Sequence, residues 1–213
     1  MIACTTQNIL VFLIALAIGA GGTYYLLSQK QSMPSTALCK SLELNQALRK
    51  LWSEHVVWTR QYIVSALANL PDVQTAAKRL MKNQEDIGAA IAQFYGASAG
   101  NKLTQLLKEH ISIATDVIKY AQLQDQANFK TADEKWHQNA VDIATFLSEA
   151  NPAWPKDDLI SMLNAHLSLT TKEVTARLAQ KWDDDVAAFN QVYDQALGMA
   201  DAFTNGIATQ FPS

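Results

Sequence analysis

LWSEHVVWT at residues 51–59, LLKEHISIA at 106–114 and MLNAHLSLT at 162–170 read as three versions of one helix. Each places a histidine on a stripe of apolar residues that recurs at helical spacing. A shift of 55 carries Leu48, Leu51, His55 and Ile63 onto Leu103, Leu106, His110 and Ile118. A shift of 56 then carries Leu103, Leu107, His110, Ser112 and Thr115 onto Leu159, Leu163, His166, Ser168 and Thr171. The stretches between repeat as well, for 56 maps Ala76, Arg79, Asn83, Asp86 and Ile87 onto Ala132, Lys135, Asn139, Asp142 and Ile143. A weaker third copy sets Gln195, Met199 and Phe203 on Asn139, Ile143 and Leu147. Chance explains some matched apolar pairs, but poorly explains a gapless run of matched polar residues. The repeating unit is a helical hairpin of about 56 residues, used three times.

Outward from these stretches the punctuation is regular. Leu70-Pro71-Asp72, the run Gly96 to Gly100, Gln124-Asp125-Gln126, Asn151 to Pro155, and Asp183 to Asp185 interrupt the apolar stripes. Six helices are predicted, over 42–69, 73–95, 101–123, 129–149, 156–181 and 185–209. No segment alternates with strand period. Short connections make sequential helices antiparallel, so the expected fold is an all-α, antiparallel six-helix bundle of three repeated hairpins over residues 42–213.

Ahead of the bundle, Ile9 to Leu27 read ILVFLIALAIGAGGTYYLL, without a charge. That run is long enough to cross a hydrocarbon core as a helix, and Tyr24 and Tyr25 suit its interfacial end. A cleaved signal peptide is the rival reading. It is disfavoured because the tail MIACTTQN, residues 1–8, has no Lys or Arg. Residues 28–41 read as a polar tether. A single-pass membrane protein follows. Lys30, Lys40, Arg49 and Lys50 all lie after the span, which leans the bundle toward the cytoplasmic side. Cys4 and Cys39 lie at opposite ends of the span and cannot pair within one chain, so no disulfide framework is expected.

The balance of the chain is globular, with 49% hydrophobic and 17% charged residues. A net charge of −3, with basic residues scattered, gives no footprint for nucleic acid, whose binding rests on neutralising phosphates.

Helix geometry brings the repeated polar residues to one height. His55 lies 16 residues before Pro71 and Asp86 lies 15 after it. Asp86 and His110 flank Ser98 equally, and Asp142 and His166 flank Trp154 equally. His55, His110 and His166 with Asn83, Asp86, Asn139 and Asp142 are therefore expected to form one layer. The histidines and asparagines should face inward, with the aspartates at the stripe edge. One reading is structural: each imidazole bonds an amide or carboxylate on the next helix and fixes register. The other is a pocket or a divalent-metal site, for imidazole and carboxylate suit Zn, Fe or Mn. Against the metal, there is no Glu-x-x-His pair, and Glu54 and Glu109 directly precede their histidines and so point away. His137 lies outside the repeat and reads as a surface residue.

Weaker signals take structural readings. The Gly96–Gly100 run is a helix end and turn rather than a phosphate loop, since it follows a helix. Asp183–Asp185 is an acidic helix start. The five tryptophans read as packing. No Ser or Cys stands at a meaningful spacing from a His, so nucleophilic catalysis has no support.

The strings LWSEHVVWTR, LPDV, RLMKNQEDIG, QFYG, LLKEHI and QALGMADAFTNGI resemble a family of small bacterial all-helical proteins. The likeness covers most of residues 46–211. The resemblance implies a helical domain and carries no catalytic role. Some members bear kinase or transferase names, which conflict with a sequence lacking a phosphate loop and alternating strands and helices. The leading span stands as an addition to that pattern. Two functions are left open. One is a membrane-tethered binding or interaction module, with the membrane and a protein partner or second copy as partners. The other is a metal- or ligand-dependent protein, an enzyme included, built on the histidine layer.

Overall fold

The computed structural model describes residues 36–212, with side chains from Lys40 onward. The expected span 9–27 lies outside the described residues. No helix among the described residues is long and apolar enough to cross a membrane. The chain there is all-helical: α1 (Thr36–Leu67), α2 (Val73–Gln122), α3 (Gln126–Ala150), α4 (Lys156–Leu178) and α5 (Trp182–Gln210).

Three expectations are corrected. First, α1 begins at Thr36, so the last six positions of the expected tether 28–41 are helical. Nothing between Thr36 and Leu70 is a proline or glycine to stop the helix earlier. Second, five helices stand where six were expected, because the presumed Gly96–Gly100 turn is a single residue. Only Gly96 leaves helical geometry, at φ 85° and ψ 165°, a conformation that a side chain would resist. Third, α5 starts at Trp182, three residues early.

At Gly96 the chain doubles back. Lys108 bonds Glu85, 23 residues away in sequence, across the two halves of α2. The halves cross backbone to backbone: a Cβ on Gly88 would lie 1.9 Å from Thr104 Oγ1 and 2.6 Å from the Gly100 carbonyl. The remaining reversals follow one design. Asn69, Gln124 and Gln180 adopt φ of 52°, 56° and 58°. Behind each, two backbone bonds cap the helix: Leu70 N–H to Ser65 O, Asp125 to Tyr120 and Lys181 to Ala176, each spanning five residues, and Asn69 to Ala66, Gln124 to Ala121 and Gln180 to Arg177, each spanning three. Those three positions differ by 55 and then 56, the spacing of the histidines.

The core is stacked in layers. Leu48, Leu103 and Leu159 are buried together, as are Val56, Ile111 and Leu167. Ile63, Ile118 and Val174 form a separate apolar cluster nearer the three turns. Burying each such side chain stabilises the fold by roughly 1.5–3 kcal/mol. The ring closes where α1 meets α5 antiparallel, through Arg49 and Asn45 on Asp201 at 2.8 Å each and Ser53 on Tyr193.

Candidate functional site

His55, His110 and His166 are all buried, at 3%, 4% and 4% exposure. Their Nδ1 atoms each meet an amide 29 residues further along the chain. His110 Nδ1 is 2.8 Å from Asn139 Oδ1, His166 Nδ1 is 3.0 Å from Gln195 Oε1, and His55 Nδ1 is 3.2 Å from Gln84 Nε2. The rings of His55 and His166 approach to 5.6 Å.

In the second and third hairpins one amide does two jobs. Asn139 accepts from His110 and donates to the Leu106 carbonyl at 3.2 Å. Gln195 accepts from His166 and donates to the Met162 carbonyl at 3.0 Å. Both carbonyls lie one turn before the histidine, so each amide ties the ring to the preceding turn of its own helix. In the first hairpin the work is split. Asn83 donates to the Leu51 carbonyl at 3.0 Å, while Gln84 meets His55 and also donates to Leu80 O. Gln84 Oε1 is left buried without a partner.

These bonds set the protons. Trp136 Nε1–H donates to His110 Nε2 at 3.0 Å, so the His110 proton sits on Nδ1 and goes to Asn139. His166 likewise gives Nδ1–H to Gln195, while His55 Nδ1 lies against Gln84 Nε2, whose two protons are also directed to Leu80 O and Asn83 Oδ1. Burial holds all three rings neutral: it pushes His110 down to about 4, and His55 and His166 below the ordinary imidazole value. Mutual repulsion with His166 and His110 lowers His55 further.

The expected aspartates are not in this layer, which corrects the sequence reading. Asp86 sits partly exposed beside Lys82 at 2.8 Å and Arg79 at 3.8 Å. Asp142 is exposed and accepts from Gln138. An ionised carboxylate placed among neutral amides would lose its hydration without a cation to replace it, so both turn outward. Asn83 and Asn139 are in the layer as expected; Gln84 and Gln195 complete it. His137 lies outside the layer, on the Asp133 carbonyl at 2.9 Å.

No group of three His, Cys, Asp or Glu among the described residues is arranged to hold a metal. His110 in particular has both nitrogens engaged. One turn from the layer, Trp52, Leu107, Leu163 and Phe203 help line a wholly apolar cavity of about 20 Å³. Such a space is one water in size and offers no polar partner, so it is neither a ligand pocket nor a hydrated one.

Two turns toward the hairpin turns lies a cluster the sequence reading missed. Arg60 on α1 takes both oxygens of Asp185 on α5 and bonds Glu173 on α4 at 2.8 Å. Arg177 adds a bond to Asp185 at 2.9 Å. Glu173 and Asp185 are each 1% exposed. Burial raises the Glu173 carboxyl, against the pull of Arg60. Burial also pushes Asp185 up, but the hydrogen bonds and charges of Arg60 and Arg177 outweigh it and hold Asp185 low. The signal was present in the sequence: Arg60 has Val56, Val57, Ile63 and Val64 at i±3 and i±4. An arginine on so apolar a face needs a partner from elsewhere.

Comparison of the chain with family models, with curated proteins and with solved structures gave no match.

Proposed function

We propose that the protein is a membrane-anchored interaction module: a span over 9–27 and a thrice-repeated helical hairpin that presents its far end to a protein partner. The observation that carries the interaction reading is where large apolar side chains remain exposed. Five of the eight exposed large apolar side chains among the described residues, Leu70, Leu123, Leu178, Trp182 and Val186, lie at or within a turn of the three hairpin reversals, whereas Leu42 and Phe211 lie at the opposite end and Val57 lies within α1. Because the helices alternate in direction, those reversals share one end, opposite the start of α1. Exposed aromatic and aliphatic side chains gathered at one end favour binding to another protein. Tethering by the N-terminal run would hold that end away from the bilayer. The layer supports a structural rather than chemical role, since its hydrogen bonds close on themselves.

The test has two arms. Full-length chain should remain in the membrane fraction after carbonate washing, and a chain recovered in the wash starting near Thr23 would remove the anchor. A photo-crosslinking residue at Trp182 in cells should trap a discrete adduct that the same residue at Glu134 does not; equal yields at both sites would remove the interface.

A further inference from the structure

His55, His110 and His166 come from three different helices and meet with no acidic group among their hydrogen-bond partners. Every element packed there contributes neutral groups. On α1, Glu54 turns outward to Arg79 and Lys50. On α2, Asn83 and Gln84 face the layer, Asp86 pairs with Lys82, and Glu109 is exposed. From α3 come Asn139 and Trp136, and from α5 Gln195. The buried carboxylate on α4, Glu173, is seven residues from His166 and is engaged by Arg60.

A proton added to any ring therefore gains a charge in a dry site with no counter-charge. His110 cannot take one without giving up the Trp136 bond, because the only free lone pair is the one Trp136 uses. A second proton would face the first, with the His55 and His166 rings 5.6 Å apart. We propose that the histidine trio is an acid-sensitive latch: protonation drives α1, α2 and α4 apart and opens the bundle.

The direction of the effect follows from linkage. All three rings are held below the ordinary value of 6.5, His110 at about 4. The opened chain then binds more protons than the closed one, so stability is full above pH 6.5 and is lost as pH falls toward 4. Glu173 acts oppositely, since a raised carboxyl favours the closed form as it protonates. Asp125, Asp185 and Asp201, all held low, give up their contribution only below about 3.8, and Glu85, held low by Lys108 and Lys82, only below about 4.5. A loss that begins near pH 6.5 thus belongs to the histidines.

The test is urea unfolding of the full-length chain in mild detergent, in steps from pH 7.5 to 4.5. Each participating histidine raises the unfolding constant by up to about tenfold per pH unit. The expected rise between pH 6 and 5 is well over tenfold per unit. His166→Gln should reduce it by close to tenfold per unit, and His137→Gln should leave it unchanged. A rise of tenfold or less, or one that His166→Gln does not alter, would overturn the latch. If His166→Gln fails to fold, proton NMR of the unaltered chain decides. Three imidazole Cε1–H signals should stay at their neutral positions at pH 5.5 while the chain is still folded; titration of any of them in the folded chain overturns the proposal.

Discussion

Two polar clusters lie a few turns apart in one core and solve the burial problem in opposite ways. The histidine layer is neutral, repeats in all three hairpins, and pairs each ring with an amide. The cluster of Arg60, Glu173, Asp185 and Arg177 is charged, occurs once, and balances two cations against two anions. A neutral pair loses little on burial if its bonds are made; an ion pair loses hydration worth several kcal/mol per ion and recovers it only while every partner is present. Damage to the neutral layer should therefore cost little per bond lost, whereas removing the shared cation, Arg60, should strand buried carboxylates in the charged cluster.

The largest effect expected is from Arg60→Ala, which leaves Glu173 without its cation and Asp185 with Arg177 alone. A cost of about 3–5 kcal/mol in urea unfolding at pH 7 is predicted; a cost under 1 kcal/mol would erase the contrast between the clusters. His110→Ala should be milder, about 1–3 kcal/mol, from a cavity and from Asn139 and Trp136 left without a partner. Within the charged cluster the two carboxylates should differ. Glu173→Gln should cost about 1 kcal/mol or less, because burial already disfavours the charge at that position and the amide oxygen can still accept from Arg60. It should also cost less than Asp185→Asn, and the reverse order in melting temperature would refute that ranking. The smallest effect is His137→Ala, expected within about 0.5 kcal/mol of no change, since the ring is partly exposed and its one bond is to its own helix.

What was readable in the sequence was what repeats. The histidines, their inward face and the helical class followed from residues recurring at fixed offsets. The partner of His55 did not, and the reason is one missing residue. The histidine shift from first to second hairpin is 55, while the gapless match of Asn83 to Asn139 is 56. The first hairpin is thus one residue shorter between ring and asparagine. Asn83 is left on the Leu51 carbonyl, and Gln84, at the conserved offset of 29, takes the ring. Counting along a hairpin gives height but not angle, which is why Asp86 and Asp142, set at the right level and at the stripe edge, were counted in a layer from which they turn away. Arg60, Glu173 and Asp185 have no repeated counterparts, so offsets were silent about them; only the apolar neighbours of Arg60 carried a hint. Gly96 was readable as an interruption, but not as a reversal made by one residue.

The seam between α1 and α5 has a consequence for chain topology. Asn45 and Arg49 reach Asp201 near one end of the bundle, so the described chain starts and finishes side by side. The three reversals at the opposite end share one cap geometry. The domain is a closed ring whose point of entry is arbitrary with respect to its packing. Joining the close of α5 to the start of α1 and reopening the chain at Gln124 would preserve the pairings of α1 with α5 and of α1 with α2. The order of the hairpins is thus a property of the chain's history, while their circular adjacency is a property of the fold.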